Sequence, residues 1–390
     1  MSIIAEGNVP LAQDIRFLQK APIEPQPPPV ATTGAVAWLR ANLFSSPFNI
    51  VLTIVTGLLL FWVIEGALQF LLFDAAWTGH DRTACIYTTE HPDVGACWPF
   101  IYDRFSYMIY GSYPIPERWR PDIFFIMLAI GVAWLLWLNA PRRDIGVFYF
   151  FVVLPIVSFI LLNGWEAIGL PRVDTSLWGG ALVTIVISTV GIVAALPLGV
   201  MLALGRRSRM PIVRTLSIIF IEFVRGVPLI TVLFMASVML PLFVPDAWSP
   251  NKLVRGLVGV GLFAAAYMAE VVRSGLSAIP RGQYEGAMAV GLGYVQMNRL
   301  IILPQALKIS IPNIVNTFIG LFKDTTLIYI VGIFDLLQTI EVSRVDPIWA
   351  APTTSPTGYA VAAIFYFIFC YGMSRYARAT EARLAKAERR

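Results

Sequence analysis

The chain has 390 residues, of which 57% are hydrophobic and only 14% charged, with a net charge of +5 and a mean hydropathy of +0.71. Ordinary soluble domains carry about 25% charged residues, so a water-soluble fold is excluded and an integral membrane protein is indicated. The apolar runs are continuous rather than alternating, which favours spanning helices over a β-barrel.

In chain order, residues 1–47 read as a disordered cytoplasmic tail, because the Pro-rich run APIEPQPPP at 21–29 stands where a secretory signal needs an apolar core. Eight runs then approach the roughly 20 residues that cross a bilayer as a helix. They cover 48–73, 123–138, 145–162, 178–204, 216–242, 257–272, 311–336 and 359–376. The second and sixth are short of a full crossing and are expected to recruit flanking polar residues. Residues 48–162 thus hold three spans and a long outer loop at 74–121, while 178–378 form a five-span block. No long internal repeat is visible.

Lysine and arginine collect on one side of these spans. With the N-terminus inside, inner segments hold 19 of them and outer loops seven. The excess of basic residues marks the cytoplasmic face, so both termini, the loop 273–310 and the basic tail 379–390 are expected there. The same segments account for the positive charge. Anionic lipid headgroups suffice as partners, and nothing calls for nucleic acid.

Three cysteines are present. Cys370 reads as a small core side chain in the last span. Cys85 and Cys97 share the outer loop with His80 and His91, where an oxidising compartment permits a disulfide; free thiols or a His/Cys metal site are the other readings, although the spacing fits no compact zinc motif.

Charges inside apolar spans cost about 2.5–3.5 kcal/mol each at mid-helix on insertion scales, so their retention asks for a reason. Glu65 in the first span reads as a packing or snorkelling residue. Glu222 and Arg225, at i and i+3, are expected to pair on one helix face just before Gly226 and Pro228 weaken the helix, either as a structural pair or in contact with a substrate or gate. Glu270 and Arg273 form a second such pair, more plainly structural. Lys323 and Asp324 fall about midway along the 311–336 run, with Asn316, Thr325 and Thr326 near. Their side chains diverge by about 100° on a helix, so one faces a pathway while the other bonds a neighbouring helix, or both serve interhelical bonding. An amino acid zwitterion needs a cation and an acceptor of this kind.

The sharpest signal is the polar interruption between 272 and 311. Tyr284, Ala287, Met288 and Gly291 recur at i, i+3, i+4 and i+7, one face of a helix, with Gln283 and Glu285 turned away. Gly291 and Gly293 favour a bend. Tyr294, Met297 and Ile301 open a second face that Pro304 is expected to limit. A helix, a bend and a short second helix follow.

This pattern, met by Glu285, Gly286, Ala287, Gly291, Ile301, Leu303 and Pro304, resembles the EAA loop of binding-protein-dependent ABC importer permeases. Gly286 is the one departure, standing where that family usually has alanine, which lowers helix propensity by about 1 kcal/mol. The segments at 221–230, 265–287 and 316–333 resemble the polar amino acid (histidine permease-like) branch. Those at 41–50, 77–85 and 95–101 are similar to the M-type permeases of general L-amino acid (Aap) systems.

The resemblance implies an all-α membrane protein of about eight helices with a five-helix importer core at 178–378. It further implies a loop that docks on a cytoplasmic ATPase, a homologous Q-type permease partner, a periplasmic amino-acid-binding protein and a bacterial inner membrane. No lysine follows a glycine in this sequence, so the Gly-Lys-Ser/Thr of a phosphate-binding loop is missing. The chain is accordingly expected to be no enzyme, with ATP and Mg held by the partner ATPase and no cofactor of its own. An ion-coupled secondary amino acid transporter is the alternative; Glu222, Lys323, Asp324 and a broken helix near Pro228 would suit it, but it leaves 283–304 without a role.

Overall fold

The computed structural model describes residues 34–87, 93–137, 140–245 and 250–388. Most of the tail 1–47, the Pro-rich run within it, His91 and the last two residues of the basic tail lie outside the described residues.

The chain divides into two compact units, one ending at Leu68. In the first, α1 (Gly34–Asn42) and α2 (Pro47–Leu68) are joined where the Thr53 hydroxyl donates to the Leu43 carbonyl at 2.8 Å. Ser46 caps the start of α2 by accepting from the Asn49 amide. No side chain of α2 is buried, Glu65 included. Its mostly apolar exposed surface suits a lipid-facing helix.

The second unit begins with the segment read as an outer loop, which in fact contains a packed helix, α3 (Trp98–Tyr110). Cys85 and Cys97 are joined in a disulfide with their Cα atoms 5.5 Å apart, leaving neither thiol free for a metal. Around it the segment is stitched to residues far along the chain. Thr353 Oγ1 donates to the Cys85 carbonyl, the Cys97 amide donates to Thr357 Oγ1, and Arg104 pairs with Asp346 at 2.7 Å.

Next come α4 (Trp119–Leu136), α5 (Arg143–Phe148) and α6 (Leu154–Asn163). The short run at 123–138 lengthens to a crossing at Ile115–Leu136 by recruiting its polar flank. Arg120 in that flank is fully buried, pairing with Glu117 at 2.7 Å and donating to the Pro171 carbonyl. Tyr113 donates to the Leu162 carbonyl, and burial pushes its phenol up to about 12.

The five-span block consists of α7 (Gly180–Arg206), α8 (Pro211–Gly226), α9 (Leu229–Phe234) with α10 (Leu240–Phe243), α11 (Lys252–Ser277), α12 (Arg281–Ala289), α13 (Tyr294–Met297), α14 (Leu303–Asp324), α15 (Leu336–Ser343) and α16 (Thr354–Glu388). The expected span at 216–242 is not straight: α8 and the α9–α10 segment meet at 105°. Pro228 cannot continue the helix of α8 and instead caps the next one. Among the described residues, seven helices are long and apolar enough to cross a membrane, or eight if this bent pair counts as one span.

Membrane helices gain little from burying apolar surface against one another, so they rely on close packing at small residues. Along α7 and α11 that packing is seen where Gly199 lies against Met268 and the Ala269 amide, and Gly261 against Ala194, with Ala195 and Ala203 buried on α7. At the head of α7 three backbones cross. A side chain on Gly111 would fall 2.4 Å from the Gly179 Cα, and Gly111 and Gly180 both hold positive φ, a conformation that glycine adopts without steric cost.

A methyl on Gly199 would sit 2.6 Å from the Met268 Cβ. Gly199→Val is expected to lower stability by about 1–3 kcal/mol, read as a drop in the thermal unfolding midpoint of the detergent-solubilised chain.

Candidate coupling hairpin and intramembrane charges

The hairpin begins where Pro280 caps α12. Of the expected inner face, Ala287 is buried at 2% exposure and Tyr284 half-buried, but Met288 is 57% exposed. Met288 turns instead toward a cavity of about 570 Å³ that also borders Leu204, Arg207, Met210, Tyr284 and Tyr294. Glu285, Gly286 and Gly291 lie on the outside. A methyl on Gly286 would meet nothing within 4 Å, so packing within this chain does not require glycine there.

The bend has a specific cause. Gly291 takes a φ of +77°, its amide donates to the Met288 carbonyl at 2.9 Å, and the Leu292 amide donates to the Ala287 carbonyl at 3.1 Å. These two bonds close a Schellman motif on α12 and satisfy carbonyls that the helix end would leave bare.

The second helix departs from expectation. Pro304 does not limit it. A wide turn at Asn298–Ile302 precedes the proline, which then occupies the first turn of α14 where its missing amide costs nothing. One helical rod therefore runs from Tyr294 to Val331. Ile301 and Leu303 pack half-buried on the core, and Pro304 stays exposed. Gln305 locks the two limbs together, donating to Gln283 Oε1 and to the Ile301 carbonyl, both at 3.0 Å.

Tyr284 connects the hairpin to the corner between α7 and α8. The Arg207 guanidinium lies 5.7 Å from its ring centre and donates to its hydroxyl at 3.2 Å. A displaced α12 would pull on that corner directly.

Glu222 and Arg225 do not pair with each other as expected. Glu222 accepts from Arg206 at the end of α7, at 2.7 Å. Arg225 reaches Glu270 on α11 at 3.6 Å and covers the Tyr267 ring. Glu270 also binds Arg273 and stands 3.6 Å from Arg206. One carboxylate thus gathers arginines from α7, α8 and α11. Spacing along a helix suggested the local partner, whereas the bend after Gly226 turns both side chains toward other helices. Arg206, the missed member, was legible only as a basic residue flanking a span.

Lys323 and Asp324 lie not midway along a regular span but at the end of α14, where the chain tightens into a 3₁₀ segment at Thr325–Val331. Neither makes an ion pair among the described residues. Lys323 is exposed, as are Asn316 and Asn313, which share its face at i−7 and i−10, with Gly320 between. Asn313 was missed, though it falls three residues before Asn316. Such a polar stripe on a membrane helix is costly against lipid and fits a water-filled passage or a partner helix.

A buried knot at the other end of the core also escaped the sequence. Asp335 is fully buried, caps α15 by accepting from the Leu337 and Gln338 amides, and accepts from the Tyr366 hydroxyl at 3.0 Å. The Leu336 amide donates to Thr184 on α7.

A helical bundle of long apolar spans, entered by a bent polar hairpin, is the fold of a multi-pass membrane protein. The family described as binding-protein-dependent transport system inner membrane component matches residues 195–386. The chain is 48% identical over 359 residues, 92% of its length and 95% of the relative's, to the inner membrane amino-acid ABC transporter permease protein YhdY of Escherichia coli K12. It is 39% identical over 437 residues, covering 96% and 100%, to the glutamate/glutamine/aspartate/asparagine transport system permease protein BztC of Rhodobacter capsulatus. A solved structure described as an amino acid ABC transporter with histidines aligns with TM-score 0.46 and 24% identity, over 52% of this chain and 92% of that one. This chain belongs to the permeases of binding-protein-dependent amino-acid ABC transporters.

Replacing Glu270 with glutamine would leave three arginines converging without their shared countercharge. Glu270→Gln is expected to cost about 1–3 kcal/mol, measured as a lower unfolding midpoint, while Cys370→Ala at the half-buried lone cysteine leaves the midpoint within about 0.5 kcal/mol equivalent.

Proposed function

We propose that this chain is the M-type permease subunit of a general L-amino acid importer in a bacterial inner membrane, paired with a homologous Q-type permease around a shared passage. A periplasmic amino-acid-binding protein delivers substrate from outside. ATP and Mg are bound and hydrolysed on separate ATPase subunits, and this chain binds no cofactor. Both termini and the hairpin lie on the cytoplasmic side, as the excess of basic residues there favours.

The observation that carries the reading is the unbroken rod from Tyr294 to Val331. Its first turns belong to the hairpin, with Glu285, Gly286, Gly291 and Pro304 outward for the ATPase and Ala287, Ile301 and Leu303 setting the hairpin on the core. Its far end carries Asn313, Asn316 and Lys323. Closure of the ATPases on ATP moves the hairpin, and the rod conveys that motion to the polar stripe without an intervening loop. Lys323 meets the substrate carboxylate, Asp324 serves the ammonium group or an interhelical bond, and Glu222 and Arg225 act with Glu270 as a structural clasp. A substrate advances only if its affinity differs between outward and inward forms.

Glu285→Lys is expected to leave membrane insertion intact but to weaken recovery of the ATPase with the purified permease at least tenfold, with matching loss of uptake. Equal recovery and uptake would remove the docking role. Lys323→Ala is expected to retain the ATPase while amino acid uptake in proteoliposomes falls at least tenfold. Uptake by this chain alone under an ion gradient, indifferent to ATP, would overturn the reading in favour of secondary transport.

A further inference from the structure

The cavity of about 570 Å³ beside the hairpin lies between α12–α13 and the corner where α7 passes into α8. Leu204, Leu276 and Met297 line its buried side, and Met210, Met288 and Tyr294, each more than half exposed, line its open side. A hollow of this size with apolar walls takes a large side chain or ligand group.

Most of its polar groups are already bonded within the chain. Ser208 Oγ accepts from the Met210 amide, and Asn298 donates to the Tyr294 carbonyl. The Tyr284 hydroxyl donates to the Leu276 carbonyl and accepts from Arg207. Two charges are left over. Among the described residues neither Arg207 nor Arg209 pairs with a carboxylate, whereas Arg206 beside them reaches both Glu222 and Glu270. The complement of this cavity therefore has an apolar body and a negative charge.

Position narrows the occupant. Met288 and Tyr294 carry the open side on to the outward face of the hairpin, where Val290 and Val295 flank the bend at 73% and 72% exposure. Apolar side chains gathered on a polar hairpin mark a protein interface. An anionic lipid headgroup would answer the arginines but leave those side chains uncovered. On the reading that a separate ATPase docks on the hairpin, we infer that the same subunit grips this chain at a second point. An apolar side chain of the ATPase enters the cavity, and a carboxylate beside it pairs with Arg207 and Arg209. Closure of the ATPases then acts on two levers. The hairpin drives α14, and the corner drives α7 and α8, while Tyr284, bonded to Arg207, ties the two movements together.

The test uses the full-length chain in nanodiscs and the purified ATPase that supports uptake with it, with binding followed at low and high salt. Arg207→Gln with Arg209→Gln is expected to weaken binding about tenfold at low salt and to remove most of the weakening that salt causes in the unmodified complex. Should the double variant not fold, Arg209→Lys, at an exposed position, keeps the charge and supplies an amine. A carbodiimide is then expected to couple that amine to an aspartate or glutamate of the ATPase, located by mass spectrometry. Coupling to no ATPase carboxylate, or binding and salt dependence unchanged in the glutamine variant while Glu285→Lys releases the ATPase, would overturn the second grip and leave the hairpin docking standing. Loss of co-purified anionic phospholipid from the glutamine variant, with ATPase binding unchanged, would assign the two arginines to headgroups instead. Binding that neither Glu285→Lys nor the arginine substitutions alter would sink the hairpin docking along with the second grip.

Discussion

The structure depends on how closely α7 and α11 approach. In a bilayer, lipid tails match the apolarity of leucine, so a helix pair holds together through contact at short range and through bonds that leave no polar group bare. Gly199 on α7 and Gly261 on α11 remove the side chains that would keep the two backbones apart. α14 is held to α11 by the same means, with Gly275 lying against Ser310 and the Ala306 carbonyl and Ser310 donating to the Val271 carbonyl. The segment that carries the disulfide, the clasp around Glu270 and the hairpin all attach to helices of this core.

Charges are then tolerated where that scaffold lets them meet. Glu270 is reached by arginines from three helices because α7, α8 and α11 converge at one level, and the bend after Gly226 brings α8 into place. The polar stripe of α14 shows the opposite arrangement. Asn313, Asn316 and Lys323 face away from the rest of this chain, and on the proposed reading a second permease and a wet passage complete their surroundings. The chain thus satisfies internally the charges gathered at Glu270 and leaves the polar stripe of α14 exposed.

Much of this was legible in the residues. Continuous apolar runs located the membrane helices, and the short runs at 123–138 and 257–272 grew at their ends as hydrophobic mismatch demands. Gly291 marked the bend because only a residue at ease with positive φ closes a Schellman motif there. What could not be read were choices made by tertiary contact. Glu222 and Arg225 sit at pairing distance in sequence, yet each found a partner on another helix. Pro304 carried a stop signal that the preceding wide turn annulled. Asp335 gave no signal in the sequence and is a fully buried cap, because its acceptors are met by amides of α15 and by Tyr366 from α16.

The device at Pro304 occurs twice more. Wide turns at Tyr149–Val153 and Met235–Met239 likewise run directly into helices whose first turns contain Pro155 and Pro241. A wide turn admits one residue more than an α-helix, and each residue advances the side-chain direction by about 100°. Every one of these rods is therefore two helices set out of phase on a common axis, like the offset throws of a crankshaft. The stripe that seats the hairpin on the core and the stripe that carries Lys323 need not share a compass bearing, and one helix addresses two different neighbours without a hinge between them.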